Sequence, residues 1–176
     1  GDVTANTESW DGTNWTAVNS MNTGVFGAGG TGTAGNTLAF GGNAPSINPG
    51  PTETTATENY DGTNWTTNPA TLASKRSYMA GFGTSTAAVA AGGYTGTANS
   101  SATEEYNSNI LSPTTGVWAA STNLPGARNN CSVSQSGTVN AAYAAGGSNG
   151  GAPYAPDTPT VEYNGSSWTA GGALST

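Results

Sequence analysis

The sequence predicts an all-β fold built from repeated four-stranded antiparallel sheets, and three observations carry that reading. Tryptophans recur with a period near 50, short strand signals alternate with turn signals inside each period, and no stretch spaces apolar residues at i, i+3, i+4, i+7 as a helix would. Trp15, Trp65, Trp118 and Trp168 are separated by 50, 53 and 50 residues. Ahead of each stands a related segment: Thr7-Glu8-Ser9-Trp10, Thr57-Glu58-Asn59-Tyr60, Thr103-Glu104-Glu105-Tyr106 and Thr160-Val161-Glu162-Tyr163. Apolar stretches closed by a Gly pair end at Gly41-Gly42, Gly92-Gly93 and Gly146-Gly147, in step with the tryptophans. Three kinds of marker in one phase make the repeat real.

The unit around Tyr106 shows the elements in order. Residues 77–84 form a first strand, 86–93 a second, 102–107 a third and 116–121 a fourth, each bounded by Gly, Asn, Ser or Pro clusters. Between third and fourth strands of the two units nearest the N-terminus stands Asp-Gly-Thr-Asn, at residues 11–14 and 61–64. Asp-Gly tolerates the positive φ of a tight hairpin, so the flanking strands should pair antiparallel. The third unit stretches this connection over 107–116 into a longer loop. Four antiparallel strands per period of this length describe one blade of a β-propeller. The expected organisation is a half blade over 1–20, contributing only its last two strands, then blades over 21–70, 71–122 and 123–176. Three and a half blades fall short of the four a closed propeller usually needs, and an open stack exposes strand edges. Either a longer polypeptide or a second copy is expected to complete it, and the start at Gly1 without Met favours the longer parent.

Composition bounds the chemistry. Gly, Ala, Thr, Asn and Ser fill 120 of 176 positions, whereas Leu, Ile, Val and Phe supply only 18. Unphased, so little apolar bulk would read as disorder. Phased, it reads as strands close enough for Gly and Ala to meet, with Trp and Tyr filling the spaces between blades. The absence of His excludes His-based catalysis and His-ligated metal. One Cys excludes an intrachain disulfide or a thiolate zinc cluster. Three basic residues against ten acidic ones cannot build a phosphate-neutralising surface, so no nucleic acid partner is expected. No apolar run reaches the length of a membrane span.

The Gly pair after an apolar strand, the Tyr and the Trp five residues further on resemble the kelch repeat, whose linkers into the next blade carry Arg. Here Arg76 and Arg128 fall in the linkers, and Gly24 departs from that pattern. The resemblance implies a kelch-like β-propeller. The Gly/Thr/Asn-rich wording around Thr57-Glu58-Asn59-Tyr60 and Trp65-Thr66 is similar to repeat proteins of marine bacteriophages. That similarity implies a non-enzymatic virion component, such as a tail fibre or surface appendage. It would adhere to host-surface polysaccharide, other virion proteins or copies of itself, and would need no cofactor. The alternative is a secreted, extracellular bacterial kelch-type scaffold.

Candidate residues are weighed against structural roles. Glu8, Glu58, Glu104, Glu105 and Glu162 could form a carboxylate ring that binds cations, but repetition favours a structural role facing the linkers and pairing with Arg76 or Arg128. Asp11, Asn14, Asp61 and Asn64 supply too few ligands for a Ca²⁺ loop and read as turns. The segment from Ser9 to Trp15 lacks one residue of the sialidase Asp-box spacing, and the Arg cluster such enzymes need is missing. A kelch-type copper oxidase is excluded because its ligands include His. Cys131 is expected as a small buried thiol. Glu53 and Asp157, the non-repeated acids inside the chain, lie in Pro-rich loops. The connections between second and third strands, at 43–55, 94–101 and 148–159, are the most variable parts. Their Pro49, Pro51, Tyr94, Tyr154 and Asp157 are the candidate binding-loop residues, since Pro stiffens a loop and exposed Tyr suits saccharide or protein surfaces.

Overall fold

The computed structural model describes residues 3–45, 52–108, 116–134, 138–150 and 158–175. Every regular element among them is a β-strand. A leading hairpin pairs β1 (Thr7–Trp10) with β2 (Trp15–Val18). The first four-stranded sheet runs β3 (Gly29–Thr33), β4 (Asn36–Phe40), β7 (Thr57–Tyr60) and β8 (Trp65–Asn68). A small ribbon, β5 (Asn43–Ala44) with β6 (Thr52–Glu53), branches from the connection between its second and third strands. The second sheet contains β9 (Ala80–Gly83), β10 (Ala87–Ala91), β11 (Thr103–Asn107) and β12 (Val117–Ser121). The third contains β13 (Ser132–Val133), β14 (Ala142–Ala145), β15 (Thr160–Tyr163) and β16 (Trp168–Ala170). Within each sheet the strands follow chain order and pair antiparallel.

Turn chemistry explains the hairpins. Asp61 Oδ1 accepts from the amides of Thr63 and Asn64 at 2.8 and 2.7 Å, and Gly62 takes φ +92°. Asp11 repeats this geometry, and Asn164 Oδ1 does the same with Ser166 and Ser167. These amides hold the Asp11 and Asp61 carboxyls below their ordinary pKa. The expected loop over 107–116 lies mostly outside the described residues.

The core occupies the two spaces between neighbouring sheets. Leu38 and Phe40 of the first sheet pack with Ala88, Ala90 and Tyr106 of the second. Val89, Ala91 and Phe82 of the second pack with Ala142, Ala144, Tyr163 and Trp168 of the third. Alternate residues of β10 thus face opposite neighbours, as the two-residue period of a strand requires. A fully buried Leu or Phe contributes about 1.5–3 kcal/mol, so a few large residues suffice where Ala and Gly let backbones approach. At Gly81 a Cβ would come within 3.0 Å of the Gly30 amide nitrogen of the preceding sheet.

One constellation recurs at both seams. The Trp118 indole donates to Thr57 Oγ1 across the first and the Trp168 indole to Thr103 Oγ1 across the second, both at 3.2 Å. Beside it, Asn68 Nδ2 donates to Asn59 Oδ1 and to the Tyr106 hydroxyl at 2.6 and 2.7 Å. In the second seam the Tyr163 hydroxyl donates to Glu105, which also accepts from Ser121 Oγ at 2.6 Å. Burial and then the Glu105 carboxylate push the Tyr163 phenol above its usual pKa. The Gly pairs receive the next linker: the amides of Gly42 and Gly93 donate to the carbonyls of Arg76 and Arg128 at 2.7 and 2.8 Å. A Cβ on Gly92 would sit 2.6 Å from the Arg128 carbonyl oxygen, so no larger residue fits without displacing the linker.

The structure corrects several expectations. The first strand of the second unit begins at Ala80 instead of residue 77, because Tyr78 turns left-handed (φ +54°) and leaves Ser77 as an isolated bridge to Tyr94. The linker position matching Arg76 is Val25 and not Gly24, since Phe26 pairs with Asn43 as Ser77 pairs with Tyr94. The glutamates fall into two registers. Glu8, Glu58 and Glu104 are equivalent, with Val161 in their place in the third sheet, while Glu105 and Glu162 lie one residue on and face the other way. Cys131 lies just before β13 and is half-buried against the second core cluster, not fully enclosed.

Candidate functional site

The two ends of the sheets differ. Asp-Gly and Asn-Gly turns close one end. At the other, the second strand runs out into a long connection and the linker enters the next first strand. This second end carries the candidate site, built from the buried linkers upward.

Arg76 is fully buried, as is Glu104, and their charges meet at 2.6 Å. Arg76 Nη1 donates to the carbonyls of Gly92 and Ala102 at 2.8 and 2.7 Å, tying the linker to both ends of the connection between β10 and β11. Desolvation lowers the guanidinium pKa, and Glu104 opposes that shift. Glu104 also accepts from the Ala73 amide at 2.7 Å. In the first sheet the buried Glu58 accepts from the amides of Asn22 and Thr23 at 2.8 and 3.0 Å. These glutamates clamp linkers and do not line an open ring. In the third sheet Arg128 Nη1 reaches the Pro159 carbonyl at 3.2 Å.

On this scaffold the connections form a row. A Cβ on Gly96 would meet the Glu53 carboxylate of the preceding connection, and Asn99 Nδ2 donates to the Ser148 carbonyl of the following one at 2.7 Å. Beneath the row runs a chain of left-handed residues at equivalent positions: Gly27 (φ +64°), Tyr78 (φ +54°) and Asn130 (φ +52°). The Tyr78 amide donates to the Gly27 carbonyl at 2.7 Å, and the Asn130 amide to the Tyr78 carbonyl at 3.0 Å. A bulky residue in this conformation costs about 1–3 kcal/mol and is held by its surroundings. The Tyr78 ring lies over Gly27 and 6.2 Å from the Phe26 ring, which is 40% exposed. The result is an aromatic pair at the sheet ends, followed along the row by the exposed Asn130, whose backbone is bonded to that of Tyr78.

Of the loop residues singled out from the sequence, Pro49, Pro51, Tyr154 and Asp157 lie outside the described residues. Tyr94 is half-buried, and its backbone pairs with Ser77 in both directions at 2.7 and 2.9 Å, so it continues the sheet toward the row. Phe26, Tyr78 and Asn130 were not singled out. The signal that could have found them is the alignment of Gly27, Tyr78 and Asn130, since Gly and Asn are the residues that most readily turn left-handed. Among the described residues no group of three or more His, Cys, Asp or Glu side chains is placed to hold a metal ion.

No family model matches the chain, and no curated protein does. Among solved structures it is similar to that of YjhT, with a TM-score of 0.76 at 13% identity, covering 99% of this chain and 66% of that one. At this identity the likeness concerns the fold alone. The chain spans slightly less than two-thirds of that protein's length.

Proposed function

We propose that the chain is a kelch-like β-propeller, or an open segment of one, acting as a non-enzymatic virion adhesion module in a phage tail fibre or surface appendage. Its ligand is a host-surface glycan or another virion protein, met at the end that carries the long connections. The observation that carries the binding assignment is the Phe26–Tyr78 pair above the left-handed Gly27–Tyr78–Asn130 chain. Rigid rings held at a sheet end suit sugar or protein recognition. The propeller reading is supported by four-stranded sheets repeating side by side, with β9 lying between β3 and β13. The virion reading rests on the similarity of the repeat wording to phage proteins. No cofactor is needed for binding of this kind.

The test is retention of the chain on an array of bacterial surface polysaccharides, with an assay for released sugar on every hit. Retention without release is expected; release of sugar overturns the non-enzymatic reading. Immunogold labelling of particles is expected on an appendage. Label confined to extracellular matrix would favour the secreted scaffold instead.

A further inference from the structure

The two outer faces of the array carry complementary parts of the seam that joins its inner sheets, the β1–β2 hairpin supplying the third- and fourth-strand positions and the third sheet the receiving ones. At the two seams between four-stranded sheets the later sheet offers a Tyr and a Trp directly opposite each other on its third and fourth strands, Tyr106 with Trp118 and Tyr163 with Trp168. At the β1–β2 seam the matching Tyr60–Trp65 pair leaves its buried indole nitrogen without a hydrogen-bond partner. The earlier sheet offers a Thr that accepts from the indole, polar residues two positions on and across the hairpin, and a buried apolar residue on its second strand. In β1–β2 the equivalent pair is Trp10 opposite Trp15, their rings tilted at 41° with centroids 5.5 Å apart and left 46% and 66% exposed. Tyr106 and Tyr163, in contrast, are 3% and 2% exposed. On the third sheet the receiving positions are Thr160 (matching Thr57 and Thr103), Glu162 (matching Glu105), Gly171 (matching Ser121) and Tyr143 (matching Leu38 and Val89). Leu38 and Val89 are fully buried, whereas Tyr143 is 46% exposed over an open concavity of about 810 Å³ that Thr160 and Glu162 also line.

We infer that these faces mate head to tail between two copies of the chain: the Trp10–Trp15 hairpin of one copy seats on the Tyr143–Thr160–Glu162 face of another. The departures from the inner seams match each other. Where the head replaces Tyr by the larger Trp10, the tail replaces Ser121 by Gly171, which leaves room for an indole. An indole only donates, and the tail presents the Glu162 carboxylate where the neutral first seam has Asn59. Trp15 would donate to Thr160 Oγ1 as Trp118 and Trp168 donate to their threonines, and Tyr143 gives the rings an aromatic floor. The occupant is a second copy because one half of the seam is what the other half requires, while the exposure of Trp15 and Tyr143 shows that a chain does not seat its own head on its own tail. Such a contact uses different patches on the two partners, so it propagates into a closed ring or a filament. This inference is independent of the ligand proposed above.

Sedimentation velocity of the full chain over a concentration series tests it. Wild type is expected to assemble as concentration rises, stopping at the dimer where two copies close a ring and growing beyond it where they do not. Trp15→Ala, which removes the head, and Tyr143→Ala or Glu162→Lys, which remove the tail, are each expected to remain monomeric. All three residues are exposed, so the fold should persist, and circular dichroism verifies it. Mixing Trp15→Ala with Tyr143→Ala chains leaves one good head and one good tail, and is expected to give a dimer and nothing larger. A wild type that stays monomeric throughout overturns the inference and assigns the faces to another repeat unit or a different partner. So do oligomers that persist in the single variants, or a mixture that stays monomeric.

Discussion

The two ends of each sheet solve different problems. At the tight-turn end, Asp61 and Asn164 satisfy the turn amides from within four residues, and the same solution appears with little change along the chain. At the long-connection end, each unit uses different residues: Val25 or Arg76 in the linker, Gly27, Tyr78 or Asn130 at the left-handed position. Positions fixed by local backbone geometry therefore repeat, while positions supported by a buried clamp can vary. The variable end is where recognition can be placed without loss of the fold.

The sharpest way to break this comparison is to remove the clamp. Arg76→Ala leaves the Glu104 carboxylate buried without its charge partner and should destabilise the chain by about 3–5 kcal/mol in urea titrations. The double variant Arg76→Met, Glu104→Val, which removes both buried charges, should recover most of that loss. A double variant as unstable as the single would show that the charge pair is not what holds the linker. Gly92→Ala comes next. Its φ of +67° and the nearby Arg128 carbonyl make the change cost about 1–3 kcal/mol, whereas Gly35→Ala, which meets nothing at the opposite end, should cost far less.

The two seams offer a finer comparison. Trp118→Phe and Trp168→Phe each delete one indole-to-threonine hydrogen bond, and each should cost about 1 kcal/mol. Only the second seam has a phenol on a carboxylate. The folded pKa of Tyr163 lies above the unfolded value of 10.0, so its contribution is complete below pH 10 and is lost as pH rises through the raised value. Denaturation midpoints of wild type should therefore fall more steeply above pH 10 than those of Tyr163→Phe. Equal slopes would remove the phenol from the account. The smallest effect belongs to the turns. Asp61→Asn should be nearly silent at neutral pH, as Asn164 already performs that role. The depressed Asp61 pKa means its contribution is present above pH 3.8 and lost as pH falls through the lower folded value, so wild type should lose more stability there than the variant, which keeps only the Asp11 turn.

Much of the fold was legible in the sequence because its strongest constraints are local. The Gly pairs take φ values of +63° and +97° at 41–42 and nearly the same at 92–93 and 146–147, and the Asp-Gly turns behave as hairpin chemistry requires. The Trp period was legible because the indole occupies one fixed place in each hairpin, from which Trp118 and Trp168 reach the preceding sheet. What could not be read were departures set by neighbours in space. Tyr has no preference for left-handed backbone, so Tyr78 betrayed nothing until its alignment with Gly27 was visible. The one-residue offset between Glu104 and Glu105 looked like simple repetition, yet in a strand it sends the two carboxylates to opposite faces. The β5–β6 ribbon pairs the two ends of a Pro-rich connection whose composition signals only a loop.

The most direct test of the account is to measure binding of the best array ligand by calorimetry to three matched chains. Phe26→Ser and Tyr78→Gly alter the proposed recognition end, and Tyr78→Gly places there the residue found at Gly27. Stability should stay within about 1 kcal/mol of wild type, relief of left-handed strain offsetting the lost ring contact. Asp61→Asn alters the opposite end. The account predicts that affinity falls at least about tenfold, or about 1.4 kcal/mol, for the first two and is unchanged for the third. Unchanged affinity in Phe26→Ser and Tyr78→Gly, or a loss confined to Asp61→Asn, would contradict it.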